Sequence, residues 1–233
     1  MSTKRCKFPM RISEIFYSVQ GEGVLAGVPS VFVRTSGCNL RCSWCDTPYT
    51  SWKPEGADFD IDAIVDQVAA FPAARHVVIT GGEPMIAAGV VELSQRFRAL
   101  GLHITFETAG TVFAPVACEL MSISPKLGNS TPDGVFHDMH EKLRLQPEVL
   151  RRLTRNYDYQ LKFVVARESD LAEVQTVVKM LETPADKVIL MPEGIIGEVL
   201  SERGVWVAEL CKAHGYRFGP RLHVYLYGNR RGV

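Results

Sequence analysis

Gly37-Cys38-Asn39-Leu40-Arg41-Cys42-Ser43-Trp44-Cys45-Asp46-Thr47 sets three thiols at C-x3-C-x2-C on one short stretch. Three thiolates can hold three corners of a cubane 4Fe-4S cluster and leave the fourth iron open to a ligand from elsewhere. A structural zinc site instead closes a tetrahedron of four protein ligands. The nearest downstream imidazole, His76, stands 31 residues beyond Cys45. Zinc, or a redox role for the Cys42/Cys45 pair, is the alternative to a cluster.

Outward from that loop, short apolar runs alternate with longer helical patterns. Strands are expected over 30–34, 76–80, 103–107, 121–124, 160–165, 188–191 and 221–225, with an earlier strand region from Ile12 toward Gly23. Helices are expected over 60–71, where Ile61, Ile64, Val65 and Val68 recur at helical spacing, and over 90–100, 169–181 and 197–214. Such alternation implies a mostly parallel sheet covered by helices. Periodicity does not decide whether the sheet closes into a barrel or stays open.

The unusual residues fall where chemistry is expected in such a sheet. The cysteine loop follows the strand ending at Arg34, Gly81-Gly82-Glu83-Pro84 follows the one ending at Thr80, and Pro125-Lys126 follows Ser124. Ligands of parallel α/β sheets bind at the carboxyl ends of strands, so these loops should converge. Two glycines allow a close backbone approach, and Glu83 offers an anionic acceptor suited to an ammonium group.

Composition narrows the class. The 233 residues are 46% hydrophobic, enough for one domain spanning 1–233, with an irregular insertion around 129–156 that reads as helical from Pro147 onward. Lys plus Arg and Asp plus Glu both number 26, so nothing in the charge balance argues for a nucleic-acid partner. No apolar run approaches the roughly 20 residues of a membrane span, and the N-terminal stretch is polar, so the chain is expected to be cytoplasmic. Six cysteines are too few for a disulfide framework, and three of them cluster, which points to metal in a reducing compartment. Cys6, Cys118 and Cys211 read as small, isolated packing residues.

The pattern C-x3-C-x-aromatic-C, with Trp44 before Cys45, resembles the signature of the radical S-adenosylmethionine superfamily. The resemblance implies a shortened (β/α) barrel in which Cys38, Cys42 and Cys45 ligate a 4Fe-4S cluster. S-adenosylmethionine chelates the open iron there, and its reductive cleavage gives a 5'-deoxyadenosyl radical. Trp44, Cys45 and Asp46 are then cofactor neighbours, Trp44 packing on cluster or adenine. Gly82 and Glu83 belong to a GGEP-like turn for the cofactor's amino end. Ser124, Pro125 and Lys126 face ribose and carboxylate, and Met191, Pro192, Glu193 and Gly194 face adenine.

The ordered set of Gln20-Gly21-Glu22-Gly23, Arg34, Cys45-Asp46-Thr47, Thr80-Gly81-Gly82-Glu83-Pro84 and Glu107-Thr108-Ala109-Gly110 further resembles the 7-carboxy-7-deazaguanine synthase family over nearly the whole chain. That resemblance implies rearrangement of 6-carboxy-5,6,7,8-tetrahydropterin with loss of ammonia, Mg2+ held by Thr47 with Asp46 as rival ligand, an electron donor such as flavodoxin, and a homodimer. Val19, Gln20, Gly21, Arg34 and Thr80 match substrate-binding positions, with Glu22 nearby as an acceptor; His223 is a candidate substrate contact or a core histidine, in a C-terminal stretch that runs on to Val233 where many members of the family end soon after a His-containing strand. Physically, a carboxylate and a carboxamide can read a guanine-like edge, and a guanidinium can hold the 6-carboxylate. Glu107 orients a ligand or serves structure, and no general base is nominated. An activase acting on a partner protein is the alternative within the superfamily.

Overall fold

The computed structural model describes residues 9–233, so Cys6 lies outside the described residues. Apolar β-branched runs form strands here because alternate side chains find helices to pack on. In chain order the strands are β1 (Met10–Val19), β2 (Pro29–Thr35), β3 (Ala57–Phe59), β4 (His76–Gly81), β5 (His103–Thr108), β6 (Leu120–Ile123), β7 (Tyr159–Val165), β8 (Val188–Pro192) and β9 (Arg217–Phe218). The helices are α1 (Pro48–Ser51), α2 (Ile61–Ala69), α3 (Val90–Ala99), α4 (His137–Arg144), α5 (Pro147–Asn156), α6 (Leu171–Leu181), α7 (Gly197–His214) and α8 (Leu222–Tyr227).

These strands make one sheet in the order β3-β1-β2-β4-β5-β6-β7-β8-β9. β1 runs antiparallel to both neighbours, and β2 through β9 pair in parallel. The outermost strands β3 and β9 do not pair with each other, so the sheet is an open, partial barrel. Five of the parallel crossovers carry helices: α1 and α2 with β3 between them, then α3, then α4 with α5, then α6, then α7.

The two faces of the sheet differ in chemistry. Val33, Ile79, Phe106, Ile123 and Phe163 point to one face and pack with Phe97 of α3, Leu150 of α5, Val174 of α6 and Val207 of α7. The alternate positions carry Arg34, Thr80, Glu107, Ser122 and Gln160. Arg34 pairs in register with Thr80, Glu107 with Ser122, and Ser122 with Gln160. A polar row thus crosses five parallel strands on the face away from the helices, which an ordinary apolar core would not tolerate.

Most expected elements are present, and α7 has the expected limits. The segment 221–225, expected as a strand, is instead the start of α8. β9 already occupies the free edge of β8, pairing Arg217 with Ile189. The Leu222 amide donates to the Gly21 carbonyl at 2.8 Å, and the Val224 amide closes a turn on Arg221 at 3.0 Å. β3 and β9 are three and two residues long, too short to carry periodicity. Within 129–156, α4 precedes the helix expected at Pro147. Among the described residues no helix is long and apolar enough to cross a membrane.

Candidate active site

The loop after β2 brings Cys38, Cys42 and Cys45, none in a disulfide, around a cavity of about 110 Å3. Leu40 and Ala109 pack beside Cys42, so one wall is apolar. Burial pushes the Cys38 thiol up to about 12 and the Cys42 thiol up to about 11. Thiols held so high ionise only when a cation arrives to pair with them. No three His, Cys, Asp or Glu side chains among the described residues converge on a single ion. Zinc requires four donors about 2.3 Å from one centre, whereas a cubane takes one thiolate per corner. Three thiols around one cavity match three corners of an iron-sulfur cube and fall one donor short of a closed zinc site.

The loop is held from several sides. The Leu40 amide donates to Cys38 Sγ at 3.3 Å, Trp52 Nε1 donates to the Cys42 carbonyl at 3.0 Å, and Cys45 Sγ lies 3.3 Å from Ser51 Oγ. Trp44 Nε1 donates to the Asn129 carbonyl at 2.9 Å, and Lys126 Nζ sits 5.4 Å from the centre of the Trp44 ring. A Cβ at Gly82 would stand 2.1 Å from the Gly37 carbonyl oxygen, so only glycine lets the two loops meet. Glu83, beneath that turn, is fully buried. One of its oxygens accepts from Thr108 Oγ1 at 2.7 Å and the Met85 amide at 3.1 Å, the other from the Ala109 amide at 2.9 Å. Burial nonetheless keeps its pKa above the ordinary value.

Beside the thiol cavity, and sharing Trp44, Asp46, Thr47, Gly82 and Lys126 with it, is a larger one of about 240 Å3. It is lined by four members of the polar row, Arg34, Thr80, Glu107 and Ser122, and by Val19, Gln20, Gly21, Glu22, Ser124, Met191 and His223. Thr80 Oγ1 donates to Glu107 at 2.8 Å and Gln20 Nε2 donates to the same carboxylate at 3.2 Å. Glu22 is clasped between Lys162 and Arg221, the latter at 3.1 Å, and Arg221 also binds Asp46. Burial alone would raise Glu22 and Asp46. The facing Lys162 and Arg221 outweigh it for Glu22, and Arg221 does so for Asp46, holding both carboxyls below their usual range. Burial holds the His223 imidazole below its ordinary value despite the pull of Glu22. Its ring lies against Gly21, where a Cβ would stand 2.0 Å from Nδ1. Arg34 is paired to Glu14 through Nε at 2.7 Å and lies 5.6 Å from the centre of the Phe16 ring.

Of the residues singled out from the sequence, Pro125, Pro192, Glu193, Gly194 and Glu83 line neither cavity. Glu193 is paired with Arg203, and the Gly194 carbonyl accepts from Arg221 at 2.6 Å. Sequence reasoning missed Lys162 and Arg221. Lys162 had a signal, a cation inside the apolar run Leu161-Lys162-Phe163-Val164; Arg221 was hidden by the strand expected there. The C-terminal Asn229, Arg230, Arg231 and Val233 also border the larger cavity, with Arg231 3.5 Å from the centre of the Tyr49 ring.

A thiol loop and a glycine-rich turn, side by side at strand ends of an open parallel sheet, agree with a match of residues 32–162 to the model of the radical SAM superfamily. The chain belongs to that superfamily. Over 227 residues it is 47% identical to a protein of Rhodopirellula baltica named 7-carboxy-7-deazaguanine synthase, covering 95% of this chain and 88% of that one. A Halobacterium salinarum protein of the same name is 46% identical over 232 residues, covering 94% and 90%. Within the superfamily, then, the chain belongs to the 7-carboxy-7-deazaguanine synthases. The crystal structure of QueE from Escherichia coli shares the fold, with a TM-score of 0.70 and 24% identity over 94% of this chain and 98% of that one.

Proposed function

We propose that this chain is a lyase converting 6-carboxy-5,6,7,8-tetrahydropterin to 7-carboxy-7-deazaguanine with loss of ammonia, on the path to queuosine and related deazapurines. The observation that carries the reading is the polar row beside the thiol loop. Together with the Gln20 carboxamide it gives the cavity a carboxylate at Glu107, a hydroxyl at Thr80 and a guanidinium at Arg34, the groups that a carboxylated pterin needs.

Gln20 and Glu22 read the amino and ring N-H edge, with Lys162 and Arg221 keeping Glu22 ionised and therefore an acceptor only. Arg34 takes the 6-carboxylate through the terminal nitrogens that Glu14 leaves open, and Thr80 and His223 border the ring. Cys38, Cys42 and Cys45 hold the cluster, while Trp44, Ser124, Lys126 and Met191 face the S-adenosylmethionine. When bound, cluster and nucleotide supply the radical that abstracts hydrogen from substrate. The protein's part is to fix geometry and exclude water. The Thr47 hydroxyl would be the residue to hold Mg2+, an ion that keeps few protein ligands, since Asp46 is committed to Arg221. A reducing cytoplasm, an electron donor such as flavodoxin and a homodimer complete the reading.

The assay is anaerobic turnover of reconstituted, reduced protein with S-adenosylmethionine, Mg2+ and the carboxytetrahydropterin, read by mass spectrometry. Formation of 7-carboxy-7-deazaguanine is expected. Formation of 5'-deoxyadenosine without any deazaguanine defeats the substrate assignment.

A further inference from the structure

Cys42 sits between two peptide N-H groups that both leave the thiol loop for the segment 127–144. The Arg41 amide donates to His140 Nδ1 at 3.1 Å, and the Ser43 amide donates to the Ser130 carbonyl at 2.9 Å. His140 Nε2 meets Ser130 Oγ at 2.9 Å, and Ser130 Oγ donates to the Leu127 carbonyl at 2.7 Å. Both side chains are fully buried on α4 and on the turn before it.

The bond directions fix the tautomer. An amide can only donate, so Nδ1 is bare and accepts. Ser130 spends its proton on Leu127, so Nε2 carries the hydrogen and donates to Ser130 Oγ. The chain from the Arg41 N-H through imidazole and hydroxyl to the Leu127 carbonyl is complete, with each group satisfied once.

We infer that His140 is a positioning residue for the iron-sulfur loop: with Ser130 it clasps the amides of Arg41 and Ser43, the residues on either side of Cys42, and so sets where that thiolate points. The inference rests on the reading that Cys38, Cys42 and Cys45 ligate the cluster. It adds a consequence for the cluster's electronics. Loop amides are the usual donors to cluster sulfurs, and such hydrogen bonds help set the potential. The Leu40 amide already donates to Cys38 Sγ at 3.3 Å, whereas the Arg41 and Ser43 amides are both engaged elsewhere and withheld from the sulfurs, so releasing the Arg41 amide would add a donor there.

Two near-isosteric substitutions separate the halves of the clasp. His140→Asn retains an acceptor near Nδ1 and gives up the contact to Ser130, whereas His140→Gln retains a donor near Nε2 and gives up the acceptor for Arg41. In the apoprotein, amide hydrogen exchange at Arg41 should quicken roughly tenfold or more in the Gln variant and stay near the wild-type rate in the Asn variant. After anaerobic reconstitution, the Gln variant should hold several-fold less iron and sulfide per chain, and its residual cluster should show a more positive midpoint potential by electron paramagnetic resonance titration. Melting of the two apoproteins establishes that both fold. A Gln variant indistinguishable from wild type, or an Asn variant that loses as much as Gln, overturns the inference. A wild-type protein that assembles no 4Fe-4S cluster defeats the underlying cluster reading instead, and the apoprotein exchange rates still judge the clasp.

Discussion

Glu22 and Arg221 are separated by 199 positions in the chain, yet Arg221 Nε donates to the Glu22 carboxylate at 3.1 Å. The same guanidinium reaches Asp46 in the thiol loop and the Gly194 carbonyl after β8. One buried cation therefore ties together the loop after β1, the loop after β2, the loop after β8 and the C-terminal helix. The loops that wall the larger cavity therefore share this fastening.

Removing the fastening should be costly. Arg221→Met leaves the nearly buried Glu22 with one cation fewer and strips the partly exposed Asp46 of its partner, and breaking a buried pair from one side typically costs about 3 kcal/mol or more. Urea unfolding should show that loss, with Arg221→Lys falling between because an ammonium cannot bind three partners as a planar fork does. A Met variant as stable as wild type would sink the assignment of Arg221 as the common brace.

Acid should act through the same cluster. Burial pushes the Glu22 carboxyl up, but Lys162, Arg221 and His223 together hold it well below its usual value. A carboxyl with a depressed folded-state pKa contributes stability that is full above its unfolded pKa, near 4.3, and is lost as pH falls toward the folded value. Wild-type stability should accordingly drop between about pH 4.5 and pH 2.5. Denaturant midpoints across that window should slope less in Glu22→Gln; equal slopes would contradict the linkage.

The fold was legible where pattern and burial agree. Val77 to Ile79 and Ile61 to Val68 are apolar at the right periods because one face of each packs on the core. Arg221 to Tyr225 misled because the alternating pattern of a strand and a short amphipathic turn look alike over five residues, and only the occupied edge of β8 decides between them. The thiol loop and the glycine turn were legible as motifs. The buried charges were not, since Lys162 and Arg221 find their partners 140 and 199 positions away, and local spacing carries no trace of that.

Gly82→Ala tests the approach of the two cofactor loops. The added methyl would lie 2.1 Å from the Gly37 oxygen and 2.8 Å from Cys38 Cβ, and backbone cannot yield as a side-chain end can. Overpacking of this kind costs about 1–3 kcal/mol. The apoprotein should melt earlier, and reconstituted iron should fall well below wild type. Full iron content in a stable Ala variant would show that the loops meet less closely than described.

Arg34 carries the most direct test of substrate orientation. Its Nε is spent on Glu14, which also accepts from Tyr49 at 2.7 Å, so the guanidinium is anchored beside the Phe16 ring in the wall of the cavity. A charge-assisted hydrogen bond to a carboxylate is worth about 1.5–3 kcal/mol, so Arg34→Ala should lower kcat/KM about 10- to 100-fold. Arg34 makes no hydrogen bond to the thiol loop, so cluster content should be unchanged, and S-adenosylmethionine cleavage should continue, largely uncoupled from product formation. Arg34→Lys should recover part of the loss through charge alone, because the planar fork is what matches a carboxylate. Loss of the cluster in Arg34→Ala would mean that the residue braces the cofactor; an unchanged kcat/KM would mean that the substrate carboxylate lies elsewhere.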